Sequence, residues 1–149
     1  MSIRFWFGPE TIGTVAYLAN NEDLIPNLRG GMFIDCAGSQ SQIAFQRTRQ
    51  DTHLLDRIAK QVLTKHGKDF REGEFAMVAP NDERIINGAG VNAPSISLSR
   101  FPYPEYHTSD DNLNIIHEDL LLEIVDLAEE IIRIYASNYI PKRTFRGPV

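Results

Sequence analysis

Apolar positions fall into short unbroken runs separated by stretches with helical spacing, which predicts strands interleaved with helices. Residues 3–7 form a β-branched and aromatic run that ends at Gly8-Pro9, a strand opening into a loop at Glu10. From Thr11, the residues Ile12, Val15, Ala16 and Leu18 keep helical spacing until Asn20-Asn21. Residues 32–34 are fully apolar and too short for a helix, so they read as a strand with Asp35 at its carboxyl end, before the Gly38-Ser39 turn. Residues 43–47 read as an edge strand. Leu54, Leu55, Ile58, Ala59, Val62 and Leu63 share one helical face within 51–66, with Gly67 as the stop. Residues 74–79 read as a strand ending at Pro80-Asn81-Asp82, and 86–91 as a flexible link into a strand at 95–98. The longest helix is expected over 117–137, with Leu120, Leu121, Ile124, Leu127, Ala128, Ile131, Ile132 and Tyr135 on its apolar face. Residues 141–149 read as an unpaired tail after a domain spanning 1–140.

Strands alternating with helices predict a three-layer α/β fold, a mainly parallel sheet flanked by helices. Sites in such sheets form beyond the carboxyl ends of the strands, and Glu10, Asp35, Asp82 and the loop carrying His107 each follow a predicted strand. That loop, residues 100–113, contains Pro102 and Pro104, which forbid regular helix and central strand, together with two tyrosines, His107 and several carboxylates. A loop of that composition is more often a site than a spacer.

The 149 residues suffice for one core, and 42% hydrophobic with 23% charged residues describes a globular chain. A net charge of −5 argues against a dedicated nucleic-acid binder, since only Lys142, Arg143 and Arg146 cluster. Cys36 is the single cysteine, which removes disulfides and cysteine zinc sites from consideration and fits a reducing compartment. No basic segment with an apolar leader opens the sequence and no apolar run is long enough for a bilayer, so a cytoplasmic protein without a membrane partner is expected.

A catalytic zinc site needs about three protein ligands, an open position and a nearby carboxylate. Asp35 and His107 have ligand chemistry and Glu10 that of a base; singly, each is equally a helix cap or a solvated charge. Asp82 and Arg84 read either as a surface turn with a local ion pair or as support for a ligand or a carboxylate. Arg47 and Arg49 suit a clamp on a substrate carboxylate, although alternation on an exposed edge strand accounts for them as well. Tyr103 and Tyr106 would wall a pocket or pack on the core. Cys36 has no basic neighbour in sequence to activate it and reads as a small buried residue. His53, His66 and His117 show no paired spacing and carry no assignment.

Three segments carry a family resemblance: Arg-Phe-Trp-Phe-Gly-Pro-Glu-Thr-Ile-Gly from Arg4, Asn-Asp-Glu-Arg from Asn81, and Pro-Glu-Tyr-His-Thr-Ser-Asp-Asp-Asn-Leu from Pro104. Together they resemble the C-terminal half of the zinc aminopeptidase superfamily, in particular its bacterial aminopeptidase-like branch linked to polysaccharide biosynthesis. The resemblance spans nearly the whole chain. It implies a phosphorylase/hydrolase-like zinc-peptidase fold, incomplete in this chain, with Glu10 as catalytic base, Asp35 and His107 each a ligand of one of two zinc ions, and Asp82 as a supporting carboxylate. Where many relatives carry a second metal-binding Glu, this sequence has Thr11, a poor ligand. The superfamily's remaining His and its bridging Asp precede the segment matched here, so the resemblance leaves each metal one protein ligand from this chain. It therefore implies weak or no zinc binding by the chain alone, and a homodimer or a separately encoded N-terminal half covering the open sheet.

The expected function is zinc-assisted hydrolysis of an N-terminal peptide or related amide bond, on a small peptide or amide substrate. The competing expectation is a non-catalytic interaction or scaffold module that keeps the fold without the metal.

Overall fold

A computed structural model describes residues 2–139 of the chain. Its elements in order are α1 (Ile12–Ala19), a 3-10 turn (Glu22–Asn27), β1 (Gly31–Asp35), β2 (Ile43–Gln46), α2 (Leu54–His66), β3 (Phe70–Gly73), α3 (Glu83–Ile86), β4 (Ser95–Ser99), a 3-10 turn (Leu113–Ile115) and α4 (Glu118–Ser137). The strands form one sheet in the order β1-β4-β2-β3. β1 runs parallel to β4, with Phe33 opposite Ser97 and Asp35 opposite Ser99, and β2 runs parallel to β3. Only β2 and β4 pair antiparallel, so the sheet is mostly parallel.

The core lies on one face of this sheet. Phe45, Ile96 and Leu98 meet Leu55, Ile58, Val62 and Leu63 of α2 and Ile124, Leu127 and Ile131 of α4. Burial of each such side chain contributes about 1.5–3 kcal/mol. α2 is placed by its ends: the Asp56 carboxylate accepts from the His53 and Thr48 amides at 2.9 and 2.7 Å, and Gly67 closes the helix at φ 80°. The opposite face is polar. Ser95, Ser97 and Ser99 alternate with Ile96 and Leu98 along β4, and α3 packs over them, with Asn87 exchanging hydrogen bonds with both the N–H and the C=O of Ser95.

Several expected elements change. Residues 3–7 form no strand; Ile3, Phe5 and Phe7 stand exposed in irregular backbone. A strand is held by a neighbour's backbone, and the described residues place none there. Residues 43–47 are no edge: β2 is interior and buried along its whole length, because β3 pairs with its far side. The strand expected at 74–79 is a turn, and the strand instead precedes it as β3. Gln46 explains this, since its side-chain oxygen accepts from Val78 N–H at 3.0 Å and Ala79 N–H at 3.4 Å, taking donors that a ladder would need. Asp82 and Glu83 do not sit on a surface turn; both are buried where α3 begins. The first residues of the expected link at 86–91 belong to α3 and its C-cap. The tail at 141–149, with its basic cluster, lies outside the described residues. No helix among the described residues is long and apolar enough to cross a membrane.

Candidate functional site

One cleft gathers the mouth of α1, the end of β1, the turn before α3 and the loop after β4. Glu10 and Asp35 face into it, with Asn81, Tyr106, Ser97 and Ser99 among its polar walls and Phe33, Phe101 and Pro80 among its apolar ones, around a cavity of about 130 Å³. No lysine, arginine or histidine lines it among the described residues.

Each side chain is placed by a local cause. Glu10 lies at the mouth of α1, where Thr11 adopts φ 61° and its N–H donates to the Asp82 carboxylate at 2.6 Å. Asp82 thereby fixes the loop beside Glu10. Asp35 ends β1; one oxygen accepts from the Cys36 N–H at 2.8 Å, and the other lies 3.4 Å from the Asn81 amide nitrogen. Asn81 in turn accepts from the Asp82 N–H at 2.9 Å. Beneath it, the fully buried Glu83 accepts from Asn81 N–H at 3.0 Å and from the Gln46 side-chain amide at 2.6 Å. Burial raises the Glu83 carboxyl above its ordinary value, with the bonds from Asn81 and Gln46 working against that shift.

The loop of residues 100–113 is tied to the segment after β1. Ser39 Oγ donates to Arg100 C=O at 2.8 Å, Ser41 Oγ to Pro102 C=O at 2.6 Å, and His117 N–H to Gly38 C=O at 2.9 Å. These bonds hold the loop that brings Tyr106 to the cleft. Tyr106 packs edge-on to Phe101 and Tyr103, and His107, with φ 61°, stacks on Tyr106 at 3.9 Å between ring centroids. Burial raises the Tyr106 phenol, and the negative charges of Asp35 and Glu10 add to the shift. Burial and the Asp35 carboxylate push the Cys36 thiol up to about 11, so it stays protonated at neutral pH, as its lack of basic neighbours implied. Cys36 is only half-buried.

Glu10, Asp35 and Tyr106 thus share the cleft, and Asp82 stands behind Glu10. His107 lies beside the cleft on Tyr106 and is not among the residues lining it. Arg84 is exposed, its Nε donating to Asn81 C=O at 3.2 Å. Arg47 and Arg49 are engaged elsewhere, Arg47 with Asp51 and Glu72 and Arg49 with the Asn92 side chain. Gln46 and Ser99 were not singled out from sequence, and Asn81 and Glu83 entered only as members of the Asn-Asp-Glu-Arg segment, without roles of their own; a Gln at the end of an apolar strand was the available signal for Gln46. Among the described residues no group of three or more His, Cys, Asp or Glu side chains is disposed to hold a metal, so the donors present do not fit a zinc ion on their own.

Comparison with known proteins bears on the family and the fold. Residues 1–138 match the family described as a domain of unknown function, DUF4910. The chain is 33% identical over 139 residues to a Clostridium acetobutylicum protein provisionally named a polysaccharide biosynthesis protein with an aminopeptidase-like domain, covering 92% of this chain and 32% of that protein. A crystal structure from the same species, provisionally named a peptidase, superposes with a TM-score of 0.82 at 32% identity over 89% of this chain and 32% of that one. BSAP, a zinc aminopeptidase from Bacillus subtilis, superposes with a TM-score of 0.65 at 16% identity over 85% of this chain and 33% of that one, a likeness of fold. The chain therefore spans about a third of the length of the relatives it matches. It belongs to the DUF4910 family and is an aminopeptidase-like domain with the α/β fold of the zinc aminopeptidases.

Proposed function

We infer that this chain is the base-bearing part of an aminopeptidase-like hydrolase acting on an N-terminal peptide or related amide bond. The observation that carries the reading is the meeting of Glu10 and Asp35, distant in sequence, in one cleft without a basic residue among its described lining. A negatively charged pocket of this kind suits a substrate with a free ammonium group. Glu10 would take a proton from the attacking water and return it to the leaving amine, while Asp82 keeps its loop in position through Thr11. Asp35 would bring a donor to one of two zinc ions and His107 a donor to the other, and a partner would have to complete both shells. That partner is a second copy of the chain or a separately encoded chain bearing the other half, covering the open β1 edge.

A second reading is favoured by one observation, the lack of a three-donor metal cluster among the described residues: an interaction module that keeps the fold without hydrolysis. Turnover of aminoacyl amides and aminoacyl p-nitroanilides, with zinc supplied and metal content measured after purification without chelator, separates the two. For the hydrolase, Glu10→Gln lowers turnover by about 10²–10⁴-fold while the far-UV spectrum stays unchanged. Full activity in that variant removes Glu10 from the role, and a wild-type chain inactive and metal-free with every partner tried leaves the binding module.

A further inference from the structure

Among the polar groups of the cleft that the proposed chemistry leaves unused, the serine at the end of β4 is buried without a hydrogen-bond partner. Ser99 is 2% exposed, lines the cleft directly opposite Asp35 in the sheet register, and its Oγ has no hydrogen-bond partner. Buried hydroxyls in folded proteins are almost always satisfied, and an unmet one on a cleft wall marks where a ligand can supply the missing bond. The strand pattern fixes its direction: Ile96 and Leu98 are fully buried in the core, which turns Ser97 and Ser99 to the cleft side. The neighbouring walls are apolar, Phe33 from β1 and Phe101 from the loop that follows β4. A group entering here meets the Phe33 and Phe101 rings together with the Ser99 hydroxyl and the Asp35 carboxylate. The cavity, about 130 Å³, is close to the size that holds a benzene ring and suits a small side chain.

We propose that Ser99 sets specificity in this cleft by hydrogen-bonding a small hydroxylated side chain, of the serine class, on the amino-terminal residue of the ligand. The inference rests on the aminopeptidase-like reading for the ligand's free amine, which the cleft carboxylates accept, and adds the side chain that the pocket selects. A site built around a hydrogen-bonding group discriminates strongly against an analogue that lacks the partner, because the buried polar group is then left unpaired.

Binding of L-serinamide and L-2-aminobutyramide to the full chain provides the test, since the two differ only by hydroxyl against methyl. Titration followed by ¹⁵N–¹H chemical shifts is expected to give about tenfold or greater preference for serinamide in the wild-type chain. Ser99→Ala, a smaller side chain on the same strand, is expected to bring the ratio to about one. Equal binding of the two amides by the wild-type chain overturns the proposal, as does binding of neither at millimolar concentration, or a preference that survives in Ser99→Ala. If Ser99→Ala does not fold, Ser99→Cys, which keeps the shape with only a weak hydrogen-bonding group, is read in its place, with the same loss of preference expected. The ratio is read without turnover: a serinamide preference in a wild-type chain that hydrolyses nothing with zinc and every partner tried supports Ser99 and sinks only the hydrolase reading, whereas hydrolysis with a ratio of one sinks only Ser99.

Discussion

At the scale of single residues, the wall of the cleft depends on one carboxylate that never reaches it. Glu83 holds Asn81 through the backbone and Gln46 through its side chain, and Gln46 in turn holds Val78 and Ala79. Glu83→Ala would leave the Gln46 amide and the Asn81 N–H without partners in a buried site, which costs about 1–3 kcal/mol for each donor. A loss of roughly 2–5 kcal/mol in urea unfolding is expected, with a smaller loss for Glu83→Gln, which still offers one acceptor. Asp82 acts on function instead. With its oxygen removed in Asp82→Ala, the Thr11 N–H loses its partner and the Glu10 loop loosens. The expected outcome is reduced binding of amino-terminal amides with little change in melting temperature, measured by titration and calorimetry on the same sample.

At the scale of elements, α4 is locked to the end of α2 and the end of β4 by Glu123. Its carboxylate accepts from His66 Nε2 at 2.7 Å, from Lys68 and from Arg100, and Arg100 also donates to Ser41 C=O at 2.9 Å. Partial burial alone would raise the Glu123 carboxyl; the bonds from Lys68 and His66 and the Arg100 charge overcome it and lower the group to about 2. The sign follows from that depression: the contribution is present above the unfolded value of about 4.3 and is lost as pH falls through the folded value. Urea unfolding of wild type and Glu123→Gln should therefore differ by on the order of 3 kcal/mol at pH 6, a gap that narrows steadily from about pH 4 towards pH 2. A gap independent of pH would show that packing, not charge, holds the junction. At the other boundary, Gly67 closes α2 at φ 80° with open space where a Cβ would lie, so Gly67→Ala adds backbone strain of about 1 kcal/mol and no clash, readable in the same assay.

The same elements show what the sequence could disclose. α1, α2, α4, β1 and β4 were legible because their signals are local: helical spacing, an apolar run, a stop at Gly67. β3 was not, since Phe-Arg-Glu-Gly has no strand pattern of its own and becomes a strand by lying beside β2. Residues 3–7 fail in the opposite sense, having the pattern but no described neighbour. At the site, Asp35 stands at the end of β1 as the strand-end rule expects, whereas Glu10 shares its cleft with no strand before it and His107 stays beside the cleft; Glu83, Gln46 and Ser99 owe their importance to burial, which the order of residues does not encode.

At the scale of the whole molecule, the sheet is covered unevenly. Ile34 pairs with Leu98 in the register and shares its face, yet Leu98 is fully buried under the helices whereas Ile34 is 44% exposed. Its strand is also the outermost on that side among the described residues, so a backbone edge and an apolar side chain are open at one place. Edges of this kind are ordinarily paired, charged or covered, and β1 is Gly-Met-Phe-Ile-Asp with its single charge at the end facing the cleft. Covering Ile34 by a second copy of the chain predicts concentration-dependent dimerisation in sedimentation velocity. Ile34→Lys places a charge on the open face while leaving Phe33 and Asp35, on the other face, untouched, so it should weaken that dimer at least about tenfold without altering amide binding in the cleft. If the wild-type chain sediments as a monomer at every concentration, the homodimer is excluded and a separately produced N-terminal half is the cover to test next. In that case the same substitution should weaken capture of a separately produced N-terminal half by a similar factor, because either partner has to bury the same side chain.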